Sequence, residues 1–327
     1  MEISILGAGS WASAIANLLA DKNDILIYAR NIDDVNNINN YHINKKYFPD
    51  KKLPANIRAT NNIEELFDNK YVINAIPTQA VRSVLLKAKD FINNNHIIIN
   101  LSKGLELKTH MRISEIFKDL NINSTYAILS GPSHAEEVIQ KMPTAVVCAC
   151  LDTRIAKNIQ DIFMRDYFRV YTSDDVVGVE LGGAIKNVLA FCIGMATGLN
   201  YGDNAKAAIM TRGIHEMSNF ALIQGANIKT INGLAGIGDL IVTATSMHSR
   251  NNRAGILVGK GYSVEDACNK IHMVVEGIPT TESIYELANN LDIELPITNE
   301  LYKVLYQGKN PKESVMDLMN RDRKSEY

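Results

Sequence analysis

Cysteine is scarce in this chain of 327 residues, which contains four, at positions 148, 150, 192 and 268. So few cysteines argue against a secreted fold held together by disulfides. Cys148 and Cys150 belong to an apolar run, so we expect buried strand thiols, with a metal or redox role as the alternative. No matching Cys/His pair lies nearby, so we expect no metal site and a reducing cytoplasm.

Excess charge is also missing, because 34 basic and 36 acidic residues leave a formal net charge of −2. Nucleic-acid binding through bulk charge usually needs a clear basic excess, so we expect no such partner. A small anionic substrate stays possible. The most apolar long run, residues 181–202, is interrupted by glycines, a lysine and two asparagines, which is atypical of a membrane span. No basic segment precedes the first apolar run, so we expect a cytoplasmic protein without an integral membrane segment.

Short apolar runs alternate with helical patterns in the first half, which predicts an α/β fold with a doubly wound, mostly parallel sheet. The predicted strands are residues 3–6, 24–29, 71–75, 96–100, 126–130, 144–149 and 168–171, with helices that include 11–21, 78–91 and 109–120. Beyond residue 178 only helices are predicted, at 179–196, 204–224, 263–270, 279–291, 296–306 and 311–319. At about 150 residues per domain, we expect an α/β domain at 1–178, an all-helical domain at 179–327, and a cleft between them.

A glycine-rich turn, Gly7-Ala-Gly9-Ser-Trp-Ala12, follows the first predicted strand and opens the first helix. Gly7 allows the tight turn, Gly9 lets the backbone approach a pyrophosphate, and Ala12 permits close helix–strand packing. The N–H groups at the start of the helix then face the phosphates. This context predicts a dinucleotide site in residues 1–178.

The second predicted strand ends near Arg30, where NAD-specific sites usually carry an acid that bonds the ribose 2′-hydroxyl. Arg30 suits a 2′-phosphate; the alternative is a solvated arginine at a strand end. We therefore expect NAD(P)H as the cofactor, with NADP somewhat favoured.

Lys186 is the sole formal charge between Glu180 and Asp203 in an otherwise apolar helical pattern. Burying a lysine is costly unless it is paired, and burial lowers its pKa toward the range useful for proton transfer. The alternative is a lysine that extends to solvent at the rim. Farther on, three glycines precede Asp239, which could pair with a lysine.

Three further polar groups follow turns or strands and could meet a ligand. Lys103 and Gly104 come directly after one predicted strand, at an end where ligands bind in parallel sheets. Gly131 and Ser133 follow another strand, and Ser133 could instead cap the next helix. The run Ser249-Arg250-Asn251 suits a phosphate, because arginine binds phosphate bidentately; the alternative is a polar loop that caps a helix.

Together these blocks resemble the bacterial-type NAD(P)-dependent glycerol-3-phosphate dehydrogenases over nearly the whole chain. Besides the glycine turn, the matching blocks are Ser102-Lys-Gly-Leu-Glu106, Ser130-Gly-Pro-Ser133, Glu180-Leu-Gly-Gly-Ala-Ile-Lys-Asn187, Asn204-Ala-Lys-Ala-Ala208, Thr211-Arg-Gly213, residues 233–239, Ser249-Arg-Asn251, Val275-Glu-Gly277 and Leu295-Pro-Ile-Thr298. The resemblance implies a Rossmann-like domain followed by a helical domain. Thr197 and Asn200 depart from the family pattern, which puts the shape of one loop in doubt rather than the chemistry.

The resemblance also implies residue roles. Lys186 would exchange a proton with the substrate C2 oxygen, and Lys103 and Asp239 would complete the catalytic group. The implied substrate-binding residues are Lys103, Gly131, Ser133, Lys186, Asp239, Ser249, Arg250 and Asn251. The implied cofactor-binding residues are Ser10, Trp11, Lys103, Ala135, Arg250, Val274 and Glu276, which join Gly7, Gly9 and Arg30, expected from the glycine turn and the end of the second strand. A homodimer is expected on family analogy alone.

The implied reaction is the reversible reduction of dihydroxyacetone phosphate to sn-glycerol 3-phosphate, which supplies phospholipid synthesis. Two alternatives stay open. A dehydrogenase acting on a β-hydroxy acid or ketopantoate would keep the glycine turn and the helical lysine, but the run 249–251 argues against it. A non-catalytic dinucleotide sensor would not need Lys186 and Asp239.

Overall fold

The computed structural model describes residues 1–323, 325 and 326, so residues 324 and 327 of the expected helical domain lie outside it. Eight of the described strands form one sheet in the order β10-β9-β8-β7-β6-β1-β2-β5, and β3 pairs with β4 separately. All neighbours in the large sheet are parallel except β8 and β9. The strands are β1 Glu2–Leu6, β2 Asp24–Tyr28, β3 Ile43–Asn44, β4 Phe48–Lys52, β5 Ile57–Thr60, β6 Tyr71–Asn74, β7 Ile97–Asn100, β8 Thr125–Ser130, β9 Thr144–Ala149 and β10 Phe168–Ser173.

Helices cover the sheet in the first half of the chain. They are α1 Ser10–Leu19, α2 Ile32–Tyr41, α3 Val81–Ala88, α4 Ile113–Asp119, α5 Ala135–Val138 and α6 Thr153–Phe163, with short 3₁₀ segments at Glu64–Asp68, Thr78–Ala80 and Lys89–Phe91. The central strand β1 is buried at Ile3 and Ile5, and β7 is buried throughout, as expected of a parallel sheet covered on both faces. The predicted doubly wound fold is confirmed.

In the part of the second half that the structure describes, the chain forms helices and adds no further strand to the sheet. They are α7 Val176–Gly198, α8 Asp203–Ile223, α9 Ile228–Ile231, α10 Asp239–Thr245, α11 Arg250–Gly259, α12 Val264–Ile271, α13 Gly277–Asn290, α14 Pro296–Gln307 and α15 Pro311–Met319, with a π-helical turn at Leu234–Gly238. By length and hydropathy α7 could cross a membrane, but 94% of its most apolar window is buried inside the protein. It is therefore the central helix of the second core.

Close contact between α7 and α11 places the start of α11 beside the middle of α7. A Cβ on Gly194 would lie 2.1 Å from the carbonyl oxygen of Asn252, and one on Gly255 would lie 2.1 Å from that of Phe191. Only glycine permits such an approach at these two positions, because any larger residue would separate the helices. The contact brings Arg250 toward the half of α7 that carries Lys186.

All seven predicted strands are present, but the strand and helix predictions were incomplete. The elements not named among the predictions are β3, β4 and β5, as well as α2, α6, α9, α10 and α11. Strand β4 is Phe-Pro-Asp-Lys-Lys and mostly exposed, so it has no apolar alternation to detect. Helix α2 is rich in asparagine, a weak helix former, and it buries only Val35 and Ile38.

Candidate active site

A pocket of about 1080 Å³ lies between the sheet and the helical half of the chain. It opens where β1 and β6 neighbour each other, the point at which the strand order reverses and where ligands bind in such sheets. Of the residues predicted for the site, those lining the pocket are Gly7, Gly9, Ser10, Trp11, Arg30, Lys103, Ser133, Ala135, Lys186, Ser249, Arg250, Asn251, Val274 and Glu276. The structure thus brings together residues from distant parts of the sequence.

The glycine turn forms a cradle at one end of the pocket. Gly7 has a φ of +118°, and a Cβ there would lie 2.9 Å from Ile76 Cγ2, so glycine is required. Gly9 is the N-cap of α1 and has no side-chain capping bond, and a Cβ built on it would meet nothing within 4 Å. The first N–H groups of α1 therefore have no side-chain acceptor at the N-cap, which fits the phosphates of a dinucleotide.

Arg30 and Asp34 both line the pocket beyond this turn. Arg30 is exposed just after β2, and Asp34 lies in the first turn of α2. A cation and an acid are thus both available where the adenosine ribose would bind, so the geometry accommodates either cofactor.

At the opposite end of the pocket, two lysines of the lining, Lys103 and Lys186, bond to one carboxylate. Asp239 lies at the start of α10, and its two carboxylate oxygens accept from two lysines: Oδ1 from Lys186 Nζ at 2.8 Å and Oδ2 from Lys103 Nζ at 2.7 Å. Asp239 is 1% exposed and Lys186 is 7% exposed. Lys186 is therefore a paired, buried lysine and does not extend to solvent at the rim.

These contacts set the proton affinities of the group. Burial lowers the pKa of Lys186 to about 8, and Lys103 lowers it as well, while Asp239 acts in the opposite direction. Burial also acts to raise the pKa of Asp239, but the two lysines outweigh it and hold that pKa below its ordinary value. The result is a carboxylate that stays ionised beside an ammonium able to give up a proton near neutral pH.

Thr243 is a member of this group that the sequence analysis missed. Lys186 Nζ donates to Thr243 Oγ1 at 2.8 Å, and that hydroxyl donates to the Asp239 carbonyl at 2.6 Å. The spacing of four residues after Asp239 could have indicated it, but α10 was not predicted as a helix. The hydroxyl restricts the direction of the lysine side chain.

Gly131 and Asp239 do not line the pocket and lie behind the residues that do. The Gly131 carbonyl accepts from Lys103 Nζ at 3.0 Å and from the Ser133 hydroxyl at 2.8 Å. Gly131 has a φ of +145°, and a Cβ there would lie 2.9 Å from Val146 Cα. The possible helix cap at Ser133 is wrong, because His134 is the N-cap of α5 and Ser133 bonds back to Gly131.

The N-terminus of α11 lies at the same end of the pocket. Ser249 is its N-cap and accepts from the Asn252 N–H at 3.2 Å, while Arg250 follows in the first turn. Asn251 uses its amide internally, donating to Asn187 Oδ1 and accepting from the Gly277 N–H, each at 2.8 Å. Arg250 and the helix N-terminus thus offer a binding site for an anion.

The remaining predicted cofactor residues line the pocket from three directions. Ala135 begins α5, and Val274 is 44% exposed just before α13. Glu276 accepts from the Thr78 N–H at 3.0 Å through Oε1, and burial raises the pKa of Glu276 above its ordinary value. This bond connects the helical half to the 3₁₀ segment Thr78–Ala80, which follows β6.

Neither metal ligation nor disulfide formation is indicated by the described side chains. No group of three or more His, Cys, Asp or Glu suited to a metal ion occurs among them. Cys148, Cys150 and Cys192 are buried free thiols, as expected for the first two, and Cys268 is partly buried. Burial raises the pKa of Cys148 to about 12, which makes it unreactive.

Two family models together match most of the chain. The model described as "NAD-dependent glycerol-3-phosphate dehydrogenase N-terminus" matches residues 2–156, and the C-terminus model of the same description matches residues 175–316. The chain belongs to this dehydrogenase family. The resemblance found in the sequence is thereby confirmed.

Individual members of the dehydrogenase family match along nearly their full length. The "Glycerol-3-phosphate dehydrogenase [NAD(P)+]" of Halothermothrix orenii is 48% identical, with 99% of this chain and 96% of that protein covered. The protein of the same name from Clostridium acetobutylicum is 45% identical, with 99% and 98% covered. The crystal structure of glycerol-3-phosphate dehydrogenase from Coxiella burnetii superposes with a TM-score of 0.94 at 33% identity, covering 98% of this chain and 99% of that one.

Proposed function

We propose that this protein reduces dihydroxyacetone phosphate to sn-glycerol 3-phosphate, reversibly, with NAD(P)H. The observation that carries the proposal is the pairing of Lys186 and Lys103 with one carboxylate, Asp239, in a pocket that Arg250 also lines. The membership of the dehydrogenase family and the names of its members support the same reaction.

The chain's own residues supply binding and proton transfer. Gly7, Gly9 and Ser10 would hold the dinucleotide phosphates at the N-terminus of α1. When bound, the nicotinamide supplies the hydride to the substrate C2 carbon in reduction. Arg250 and the N-terminus of α11 would hold the substrate phosphate, so that binding energy far from C2 orients the carbonyl.

Lys186 would stabilise and protonate the C2 oxygen. An ammonium in a buried site stabilises developing negative charge more strongly than it would in water. Its lowered pKa, about 8, eases release of the proton to the alkoxide in reduction and its recovery in oxidation. Asp239 and Thr243 would hold the amine in place, and Lys103 would add positive charge beside the substrate.

An absorbance assay at the nicotinamide band tests the proposal. The purified protein is supplied with dihydroxyacetone phosphate and either NADPH or NADH, with dihydroxyacetone as the control that lacks the phosphate. Oxidation of the cofactor is expected to be much faster with dihydroxyacetone phosphate than with dihydroxyacetone. Turnover with ketopantoate or a β-keto acid and none with dihydroxyacetone phosphate would overturn the proposal.

The proposal also covers the cellular compartment, the oligomeric state and the division into domains. The reaction would run in the cytoplasm and supply the glycerol phosphate of membrane lipids, and a homodimer is proposed on family analogy. We propose a dinucleotide-binding domain at residues 1–178 and a substrate-binding domain at residues 179–327. The roles of Ala135, Val274 and Glu276 at the cofactor rest on their place in the pocket lining.

A further inference from the structure

Helix α7 carries a second buried charge, Glu180, which contacts neither the pocket nor the lysine pair. Glu180 is 5% exposed, and its carboxylate accepts from Arg112 Nη1 at 2.9 Å, from the Ser114 N–H at 2.8 Å, from Ser114 Oγ at 2.5 Å and from Tyr126 Oη at 2.6 Å. All three partners belong to the α/β half, at the start of α4 and on β8. Glu180 therefore joins the two halves of the chain.

Folding does not favour the ionised form of Glu180. Burial raises the pKa of Glu180 above its ordinary value, although Arg112, Ser114 and Tyr126 act to lower it. Ionising Glu180 thus costs more in the folded protein than in the unfolded chain. A buried ion pair of this kind often contributes less to stability than apolar residues of the same volume would, but it can select one arrangement of the packed elements.

Helical geometry connects Glu180 to the proton-transfer group. At 3.6 residues per turn, Glu180 and Asn187 lie two turns apart on one face of α7. Asn187 Nδ2 donates to the Lys103 carbonyl at 3.2 Å, and a Cβ on Gly183, between them, would lie 3.0 Å from Ser130 Oγ. Strand β8, which carries Tyr126, ends at Ser130, directly before Gly131, whose carbonyl accepts from the Lys103 ammonium.

We infer that Glu180 is a positioning residue that sets the rotation and register of α7 against β8 and thereby places Lys186 for reaction. Glu180 makes four hydrogen bonds at one end of this face, and Asn187 makes one to the Lys103 carbonyl at the other. Together these bonds permit one rotation and one register of α7 against the sheet. The direction of Lys186, the residue before Asn187, is then determined. The inference deepens the proposed function and rests on it for its kinetic part.

Two substitutions test the inference. Glu180→Gln keeps the shape of the side chain but places an amide N–H group where Arg112, Ser114 and Tyr126 all donate. Tyr126→Phe removes one of the hydrogen bonds to Glu180 without changing a residue of α7. Asp21→Asn is the matched control, because Asp21 is also a carboxylate paired with a nearly buried arginine, Arg165, but it does not line the pocket. Cofactor binding is followed by the fluorescence of Trp11, the single tryptophan, which does line the pocket.

The expected result is a fall in kcat of about 10- to 100-fold for Glu180→Gln, as for a misplacement of about 1 Å, with cofactor affinity retained. Tyr126→Phe should show a smaller fall and keeps the test available if Glu180→Gln does not fold. In parallel, the pH dependence of amine labelling at Lys186, read by peptide mass spectrometry, should shift in both variants and not in the control. If a variant merely contained less folded enzyme, kcat would fall but the pH midpoint of labelling at Lys186 would stay unchanged.

The outcomes separate the inference from the proposed function. If wild-type protein does not reduce dihydroxyacetone phosphate, the proposed function fails, while the labelling midpoint still tests the role of Glu180. If kcat and the labelling midpoint of Glu180→Gln and Tyr126→Phe match those of Asp21→Asn, Glu180 does not position Lys186 and the inference is wrong.

Discussion

The two ends of the pocket differ in the groups that form them: bonded side chains at one end and mainly backbone at the other. At the lysine end, Lys103 and Lys186 both donate to Asp239, and the side chains of Lys186 and Asp239 are buried. At the glycine-turn end, the binding surface is backbone at Gly7 and Gly9 together with the exposed side chain of Arg30. Under the proposed function, the chemistry would depend on a few side chains that bond to one carboxylate, whereas the cofactor would be held by main chain and by an exposed charge.

This difference predicts how far each end tolerates substitution. Removing Asp239 would leave two lysines without the carboxylate that they share, and removing Lys186 would take away the proposed proton donor. Removing an exposed charge at the glycine-turn end costs little, because solvent screens it. Substitutions at the two ends should therefore differ by orders of magnitude in effect.

The largest effect is expected for Lys186→Ala at the lysine end. Turnover should fall by about 10²–10⁴-fold, the usual contribution of general acid catalysis, while NAD(P)H still quenches Trp11 fluorescence. Lys206→Ala, which removes a lysine of α8 that pairs with Asp203, serves as the control. Near-normal kcat in a folded Lys186→Ala protein would rule out the proposed role.

An intermediate effect is expected for Arg250→Ala. Loss of a charge-assisted hydrogen bond of about 1.5–3 kcal/mol should raise the KM for dihydroxyacetone phosphate roughly 10- to 100-fold. The residual rate with dihydroxyacetone, which lacks the phosphate, should change much less. An unchanged KM would remove Arg250 from the phosphate site.

The smallest effect is expected for Arg30→Ala at the glycine-turn end. An exposed charge pair is worth up to about 1 kcal/mol, so NADPH binding should weaken by about two- to fivefold and NADH binding should be unaffected. Trp11 fluorescence titrations measure both. Arg58→Ala, on neighbouring β5 and also exposed, is the matched control. Equal effects on the two cofactors would show that Arg30 does not recognise the 2′-phosphate.

Sequence patterns were sufficient for the features that depend on local composition. Buried parallel strands such as β7 are short apolar runs, and the glycine turn follows one of them, so both could be predicted. The isolated charge of Lys186 indicated a buried, paired lysine. Asp239 was named as a possible partner because of the glycines before it.

Features that depend on tertiary packing could not be predicted. The start of α11, Arg-Asn-Asn-Arg, has the composition of a loop, and its helix is stabilised by the glycine contacts with α7. Sequence patterns likewise do not show that one carboxylate serves two lysines, or that Asn251 bonds to Asn187 and not outward. Those pairings exist only once α7, α10 and α11 have packed together.

The central claim is that Lys186 transfers the proton with its pKa set by burial against Asp239. The most direct measurement is the pH dependence of kcat/KM for dihydroxyacetone phosphate reduction in wild type and Asp239→Asn. Reduction needs the protonated amine, so the wild-type rate should fall as the pH rises through about 8. Asp239 raises the pKa of Lys186, so its loss should move this fall to lower pH, along with lowering the rate. A descending limb that stays in place in Asp239→Asn, or that is absent from the wild-type profile, would contradict the claim.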